Sequence, residues 1–136
     1  MAEMTGLAHV VLRVADWGRS ARWYQEVLGF QRHKADGFST FVYPGASFAL
    51  LFRPTDEGHA LSSTPEQRLD HLAMLVPTVD ALEQWRADLA ARGVEVEIEH
   101  NATVGSSITL FDPDGLEIEL FTPSPGTVLD VASLPT

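Results

Sequence analysis

The sequence predicts an α+β fold made of two βαβββ modules. The chain has 136 residues, of which 45% are hydrophobic, and this is the size and composition of one globular domain that buries its own core. The segments at 7–14 and 69–76, LAHVVLRV and LDHLAMLV, are similar to each other. Each is followed by an amphipathic stretch that ends at a glycine and then by three β-rich runs, so we interpret the chain as an internal duplication.

The first module is predicted to span residues 5–54, beginning with the strand that carries His9. Asp16 is placed to cap a helix that ends at Gly29, a residue that tolerates the left-handed conformation after a last turn. The apolar stripe of this helix comprises Trp17, Ala21, Tyr24 and Leu28. Three strands are predicted at 30–34, 38–43 and 47–53, where short β-rich runs are separated by turn residues.

The second module is predicted to span residues 69–123 and repeats this order. Asp80 and Glu83 have the spacing of a capping box, and Gly93 is placed to end the helix. Strands are predicted at 94–99, 106–111 and 116–122, with a hairpin turn at 112–115, DPDG. The polar segment 55–68 is predicted to be a linker and 124–136 a loosely held tail, and residues 1–136 form a single domain.

Neither module has enough strands to close its own core. We therefore expect the two sheets to form a curved, partly closed mixed sheet around a central cavity, with the helices outside. Strand alternation places His9, His71 and Glu119 on the cavity side, because neighbouring residues on each strand are apolar and suit a helix-covered face. Aligning residues 50–54 with 119–123 makes Leu50 the symmetry mate of Glu119.

Two imidazoles and one carboxylate with open positions beside them are the ligands of a facial metal site. We expect a divalent ion there, with Fe(II) favoured and Mn(II), Zn(II), Ni(II) and Co(II) as alternatives. An ion with open positions can polarise a bound oxygen or gather two reactants. The chain has no cysteine, which excludes thiolate ligands and thiol nucleophiles.

Charge and hydropathy exclude several classes of partner. Nine Lys and Arg against nineteen Asp and Glu give a net charge of −10, which repels nucleic acids and anionic membrane surfaces. No apolar run approaches the roughly 18 residues of a spanning helix, and the N-terminus lacks the pattern of a secretion signal. We therefore expect a cytoplasmic protein that binds neither nucleic acid nor membrane.

The paired histidines, the duplicated unit and the segment FDPDGLEIELF at 111–121 resemble the vicinal oxygen chelate superfamily, over about residues 7–123. That superfamily includes glyoxalases, extradiol dioxygenases, fosfomycin-modifying transferases and antibiotic-binding (bleomycin) resistance proteins. The resemblance implies that His9, His71 and Glu119 are the metal ligands and that the chain acts on a small molecule. It also implies a homodimer, since many relatives pair their chains.

Among these activities, the sequence is most like a single-domain extradiol-type dioxygenase. In those enzymes a histidine nineteen residues before the ligand glutamate assists proton transfer, and His100 stands at that spacing from Glu119. Thr109 occupies the position of their tyrosine. We therefore expect His100 to act as acid and base, in a pocket lined by Phe41, Tyr43, Phe48, Leu50, Phe52, Ser107 and Thr109.

Three alternatives stay open on the sequence alone. A metal-free drug- or metabolite-binding protein would have no use for the three ligands, which favours an enzyme. A glyoxalase-like lyase would place Glu or Gln where this chain has Leu50. A fosfomycin-transferase-like enzyme is similar at Asn101, Thr103, Gly105 and Ser107, but the preceding acidic run at 97–99 opposes a phosphonate.

Overall fold

The first half of the chain folds into one helix and a four-stranded mixed sheet. The computed structural model describes residues 7–35, 38–54, 69, 71–127 and 129–133. The elements of this half are β1 (His9–Val14), α1 (Trp17–Glu26), β2 (Gln31–Ala35), β3 (Phe38–Val42) and β4 (Ala49–Pro54). The strand order is β1-β4-β3-β2, in which β1 is parallel to β4 and the other neighbours are antiparallel.

The second half repeats this topology. Its elements are β5 (His71–Leu75), α2 (Val79–Ala91), β6 (Ile98–Asn101), β7 (Gly105–Phe111), β8 (Glu117–Pro123) and a short 3-10 helix, Val131–Ser133. The strand order is β5-β8-β7-β6, again with the first pair parallel. The predicted α+β class with paired βαβββ modules, joined in the second module by a hairpin between β7 and β8, is confirmed.

The strand after α2 begins later than the sequence predicts, at Ile98 instead of residue 94. The backbone N–H groups of Arg92 and Val94 donate to the Leu89 carbonyl, and that of Gly93 donates to the Ala90 carbonyl. These residues therefore satisfy the last carbonyls of the helix instead of pairing with a strand. Gly93 adopts φ +83°, as expected of a glycine that ends a helix.

The chain divides into two compact units. The first comprises Met1–Glu66 with Asp112–Asp114, and the second comprises Gln67–Phe111 with Gly115–Thr136. The turn 112–114 therefore belongs to the first unit, and the predicted module bounds stay a prediction. The predicted linker at 55–68 lies outside the described residues, and the joining of both units into a single domain stays a prediction.

The predicted tail is tied to the second unit at its start. The Ser124 backbone N–H donates to the Val104 carbonyl at 3.0 Å. Further on, the Gly126 N–H donates to the Asp130 carboxylate at 2.9 Å, and this hydrogen bond is the main cause that lowers the pKa of Asp130. Within the described residues, no helix has both the length and the apolar character of a membrane-spanning one.

In the first unit, α1 packs on the sheet through aromatic side chains. Tyr24 is fully buried, and its ring centroid lies 5.0 Å from that of Phe52, which in turn lies 4.7 Å from that of Phe41. Leu50 is also fully buried and pairs with Phe41 across β3 and β4. The other side of this sheet carries His9, Val11 and Leu51, and we name it the first open face.

In the second unit, the apolar stripe of α2 packs on β7 and β8. Leu82 and Leu89 of the helix and Ile108 and Ile118 of the sheet are fully buried. Alternation along β8 then directs Glu117 and Glu119 to the other side, where both side chains are partly exposed. We name that side the second open face. Ile118 and Leu120, which alternate with these glutamates along β8, are buried.

The predicted capping box of Asp80 and Glu83 at the N-terminus of α2 is wrong. The capping residue is Thr78, whose Oγ1 accepts from the Ala81 backbone N–H at 3.1 Å, whereas Asp80 lies inside the first turn. Both residue types cap helices, and the sequence offers two candidates two residues apart. The Glu83 carboxylate forms an ion pair with the Arg86 guanidinium, at 2.9 Å, and does not take part in a capping box. The cap of α1 is Asp16, as predicted.

Because Thr78 is the cap, substitutions of Thr78 and Asp80 are expected to lower the free energy of unfolding by different amounts. Thr78→Ala is expected to lower the free energy of unfolding by about 1 kcal/mol, because the Ala81 N–H loses its acceptor. Asp80→Ala removes only a favourable charge near the helix N-terminus and is expected to cost about 0.5 kcal/mol. Urea denaturation of both variants measures the two values. A larger loss in Asp80→Ala would contradict the assignment of Thr78 as the cap.

The turn at 112–114 hydrogen-bonds to the start of α1 within the first unit. The Asp114 carboxylate accepts from the Ala15 backbone N–H at 3.2 and 3.3 Å, from the Ser20 hydroxyl at 3.3 Å and from the Arg19 guanidinium at 3.2 Å. The Tyr24 hydroxyl donates to the Asp112 carboxylate at 2.9 Å. Burial, and then the charge of Asp112, raise the pKa of Tyr24 far above its usual value, so that this hydroxyl stays a donor.

Candidate metal centre

On the second open face, His71 lies between two carboxylates of the neighbouring strand. The parallel register of β5 and β8 sets His71 opposite Glu117 and Ala73 opposite Glu119. The Nε2 atom of His71 lies 3.5 Å from Oε2 of Glu119, and Nδ1 lies 3.6 Å from Oε2 of Glu117. All three side chains are partly exposed, at 40% for His71, 35% for Glu117 and 21% for Glu119.

The separation of His71 and Glu119 fits a shared metal ion. Nitrogen and carboxylate ligands bind zinc at about 2.0–2.2 Å, so two adjacent ligand atoms on one ion lie about 3–3.5 Å apart. The observed Nε2–Oε2 separation of 3.5 Å is at the upper end of this range. Imidazole and carboxylate are also the donors that Fe(II), Mn(II), Co(II), Ni(II) and Zn(II) accept. The structure thus brings together two of the three predicted ligands.

His9, the third predicted ligand, is the first residue of β1 in the other compact unit. It pairs with Ala49, is exposed, and lies on the first open face together with Val11. Across the parts of the chain that the structure describes, no group of three or more histidine, aspartate or glutamate side chains could hold a metal ion. The three-ligand set therefore stays a prediction, while the pair of His71 and Glu119 is observed.

The register corrects the predicted symmetry mate of Glu119. His9 stands opposite Ala49 as His71 stands opposite Glu117, and Val11 stands opposite Leu51 as Ala73 stands opposite Glu119. The mate of Glu119 is therefore Leu51 and not Leu50. The strand-end prolines Pro54 and Pro123 suggested the earlier alignment but are one residue out of step, and such a shift moves a side chain to the opposite face. The equivalent position is still an apolar residue that cannot bind an ion.

Most of the predicted pocket aromatics lie beneath α1. Phe41, Leu50 and Phe52 are buried, and Phe41 also contacts the Trp17 ring at 5.8 Å between centroids. Tyr43 contacts Phe30, also at 5.8 Å. These four residues form or adjoin the core between helix and sheet, so the prediction that they line a pocket is not supported. Alternation within β3 and β4 assigns Phe41, Leu50 and Phe52 to the face that the helix covers. The role of Phe48, which precedes β4 and is partly exposed, stays a prediction.

Ser107 and Thr109 lie on the second open face. The antiparallel register sets Thr109 opposite Glu119 and Ser107 opposite Phe121, and directly opposed residues project to the same side of a sheet. Thr109 is exposed and Ser107 is partly exposed. Their hydroxyl groups are therefore placed to contact a molecule bound beside Glu119, which keeps both as predicted pocket residues.

His100 lies on the opposite side of the same sheet. His100 pairs with Ser106, which pairs with Thr122. Thr122 and Glu119 are an odd number of residues apart on β8, so their side chains, and therefore those of His100 and Glu119, lie on opposite faces. The Nδ1 atom of His100 lies 2.7 Å from the Ser106 hydroxyl, on the side of the sheet where Ile108 is buried. Because a strand separates its two faces, this placement argues against His100 as an acid or base at an ion held by Glu119.

A comparison with protein families identifies the group to which this geometry belongs. Residues 6–120 match the family model described as the Glyoxalase/Bleomycin resistance protein/Dioxygenase superfamily. The chain belongs to this superfamily. The resemblance inferred from the paired histidines and the segment at 111–121 is therefore confirmed. No curated protein matches the sequence significantly.

Solved structures of the superfamily share the fold. A glyoxylase/bleomycin resistance protein/dioxygenase domain from Frankia sp. EAN1pec is 27% identical, with a TM-score of 0.72 over 90% of this chain and 100% of that one. A lactoylglutathione lyase from Agrobacterium tumefaciens is 14% identical, with a TM-score of 0.63 over 89% and 96%. TnmS3, an antibiotic binding protein from Streptomyces sp. CB03234, is 23% identical, with a TM-score of 0.62 over 91% and 100%. The superfamily fold thus accommodates both catalysis and binding.

Glu117 is a residue of the candidate site to which the sequence alone assigns no role. The alternation Glu117-Ile118-Glu119 already placed both glutamates on one face. The missing information was the register of β5, which sets His71 directly opposite Glu117. The functions of Asp112 and Asp114 as acceptors for α1 were likewise not visible, because their partners are distant in the chain.

Proposed function

We propose that this chain is a divalent-metal-dependent enzyme that chelates adjacent oxygen atoms of a small molecule. The observation that carries the proposal is the pair of His71 Nε2 and Glu119 Oε2, 3.5 Å apart on an open sheet face. His9, the third ligand expected from the sequence, lies in the first compact unit at the position equivalent to His71 in the repeat, and its part in the site stays a prediction. When bound, the ion would polarise a substrate oxygen and hold the substrate in place.

The charges of the second open face favour a neutral substrate. Strands β5, β6, β7 and β8 contain no lysine or arginine, whereas Glu117 and Glu119 lie on this face. An anion would be repelled by these carboxylates. The hydroxyl groups of Ser107 and Thr109 are neutral hydrogen-bonding partners there, and the exposed Leu75 and Phe111 supply apolar contact surface.

The reaction class that we propose is oxygen-dependent cleavage of a catechol-type substrate. Two histidines and one carboxylate form the ligand set of non-haem Fe(II) oxygenases, and a catechol is a neutral molecule with adjacent oxygens. Thr109 stands beside Glu119 and offers a hydroxyl that can orient a substrate oxygen. A lyase or isomerase reaction, which needs polarisation of the substrate but no oxygen, is the alternative within the same metal-dependent class.

Metal binding and oxygen uptake test the proposal in two steps. The metal-free full-length chain is titrated with Mn(II), Fe(II), Co(II), Ni(II) and Zn(II), and we expect one ion per chain and a higher Tm for at least one of them. The Fe(II)-loaded protein is then assayed aerobically with a panel of catechols. If none of the five ions binds stoichiometrically, the metal-dependent function is overturned. Binding without oxygen uptake would overturn ring cleavage alone.

A metal-free binding protein is the second candidate. Leu75 is 77% exposed and Phe111 is 63% exposed, and the register places both on the face of Glu119. Apolar side chains that stay exposed mark surfaces for binding, and TnmS3 shows that the fold occurs in an antibiotic binding protein. Quenching of tryptophan fluorescence by planar aromatic compounds, equally strong with and without EDTA, would favour this candidate over the enzyme. A homodimer and a cytoplasmic location stay predictions under either function.

A further inference from the structure

The two ring nitrogens of His71 face different carboxylates. Nε2 lies toward Glu119, at 3.5 Å, and Nδ1 lies toward Glu117, at 3.6 Å. This arrangement follows from the register, since His71 stands directly opposite Glu117 and two residues before Ala73, which stands opposite Glu119. The imidazole therefore spans two successive carboxylates of β8, in contact range of both.

The two nitrogens of an imidazole point away from each other across the ring, so a single ion can be bound by only one of them. An ion shared with Glu119 would be bound by Nε2. Nδ1 would then carry the proton and need an acceptor, because a metal-ligating histidine donates its other ring N–H to a carboxylate, a carbonyl or water. Glu117 is the carboxylate on that side of the ring.

We propose that Glu117 is a positioning residue that accepts a hydrogen bond from the Nδ1–H of His71 and so presents Nε2 to the ion shared with Glu119. This role rests on the metal-dependent function proposed above and adds to it. The Nδ1–Oε2 distance of 3.6 Å is longer than the roughly 2.9 Å of a formed N–H···O bond, so the Glu117 side chain closes this gap when an ion engages Nε2.

The position of Glu117 distinguishes this role from direct ligation. A direct ligand would lie on the Nε2 side with Glu119, but Glu117 lies on the Nδ1 side. An acceptor at Nδ1 fixes the tautomer and the ring orientation and raises the basicity of the ligating nitrogen.

The test compares Glu117→Gln with Glu119→Gln and with a matched control, Glu99→Gln. Glu99 lies on the second open face opposite Ser107, in β6, which β8 and β7 separate from β5, and is exposed. Co(II) is the probe, because its visible absorption reports the ligands around the ion, and calorimetric titration of the full-length chain gives the affinity. The Tm of each variant without metal shows whether the substitution alters the fold.

For Glu117→Gln we expect Co(II) affinity to fall by about 10- to 100-fold, with the same absorption spectrum at saturation and the same metal-free Tm. Glu99→Gln is expected to bind as the wild type does. Wild-type affinity in Glu117→Gln, or a spectrum altered in the same way as that of Glu119→Gln, would overturn the positioning role while leaving the metal-dependent function intact. A wild-type chain that binds no ion would overturn both.

Discussion

Replacing Glu119 by glutamine is expected to weaken divalent-ion binding by about 100-fold or more. The substitution keeps the size of the side chain but removes the negative charge that an ion would find 3.5 Å from His71 Nε2. Loss of a residue that hydrogen-bonds to a metal ligand already lowers metal affinity by about 10- to 100-fold. Loss of a direct ligand lowers it by at least as much. The fold should be retained, because this side chain is partly exposed and Ile118 and Leu120 supply the core contacts of the strand.

Calorimetry with Co(II) or Zn(II) measures this effect, and far-UV circular dichroism confirms the fold. Glu99→Gln is again the control, since it removes one carboxylate from the same face without touching His71. If Glu119→Gln binds the ion as tightly as the wild type and the control do, Glu119 is not a ligand. The metal site would then have to be sought elsewhere in the chain.

Replacing Asp114 by alanine is expected to lower the free energy of unfolding by about 2–4 kcal/mol. The Asp114 side chain is only 4% exposed and accepts from Ala15, Arg19 and Ser20. Removing the carboxylate leaves the Ala15 N–H and the Ser20 hydroxyl without this acceptor, and such groups cost about 1–3 kcal/mol each when buried. Arg19 is half exposed and can return to water.

Urea denaturation monitored by tryptophan fluorescence measures the loss for Asp114→Ala. Asp88→Ala is the matched control, because the Asp88 carboxylate accepts one hydrogen bond from Gln84 in an exposed position on α2. The control is expected to change the free energy of unfolding by about 0.5 kcal/mol or less. Equal effects of the two substitutions would mean that the turn at 112–114 contributes nothing beyond an ordinary surface contact.

The helices and the order of the elements were predictable because their signals are local. A helix needs an apolar stripe, a residue that caps its start and one that tolerates a left-handed backbone at its end, and all of these lie within about fifteen residues. Gly29 and Gly93 adopt positive φ as predicted. The choice between Thr78 and Asp80 was not predictable in this way, since both types of residue cap helices and only the observed hydrogen bond to Ala81 separates them.

The candidate site was predictable in part for a related reason. Alternation along a strand placed His71 and Glu119 on faces that apolar neighbours leave free, and the structure brings these two side chains together. The sequence could not supply the register between strands. The alignment that matched Pro54 with Pro123 was one residue out, and it assigned Leu50 to the wrong face. The spacing of nineteen residues from Glu119 suggested His100 but carries no information on the register of β6, which places this residue on the opposite face.

The repeated order of elements, the two helices and the separation of each strand into an apolar side and a polar side can be predicted from the sequence alone. These properties depend on neighbours within one turn of helix or two residues of strand. The folded structure was needed to show that Glu117 faces His71, that Leu51 is the equivalent of Glu119, and that Asp112 and Asp114 accept hydrogen bonds from α1 and the residue before it. The contacts of Glu117 with His71 and of Asp112 and Asp114 with α1 join residues between 46 and 99 positions apart. The pairing of distant strands and turns is set by the packing of the whole chain and cannot be read from a local pattern.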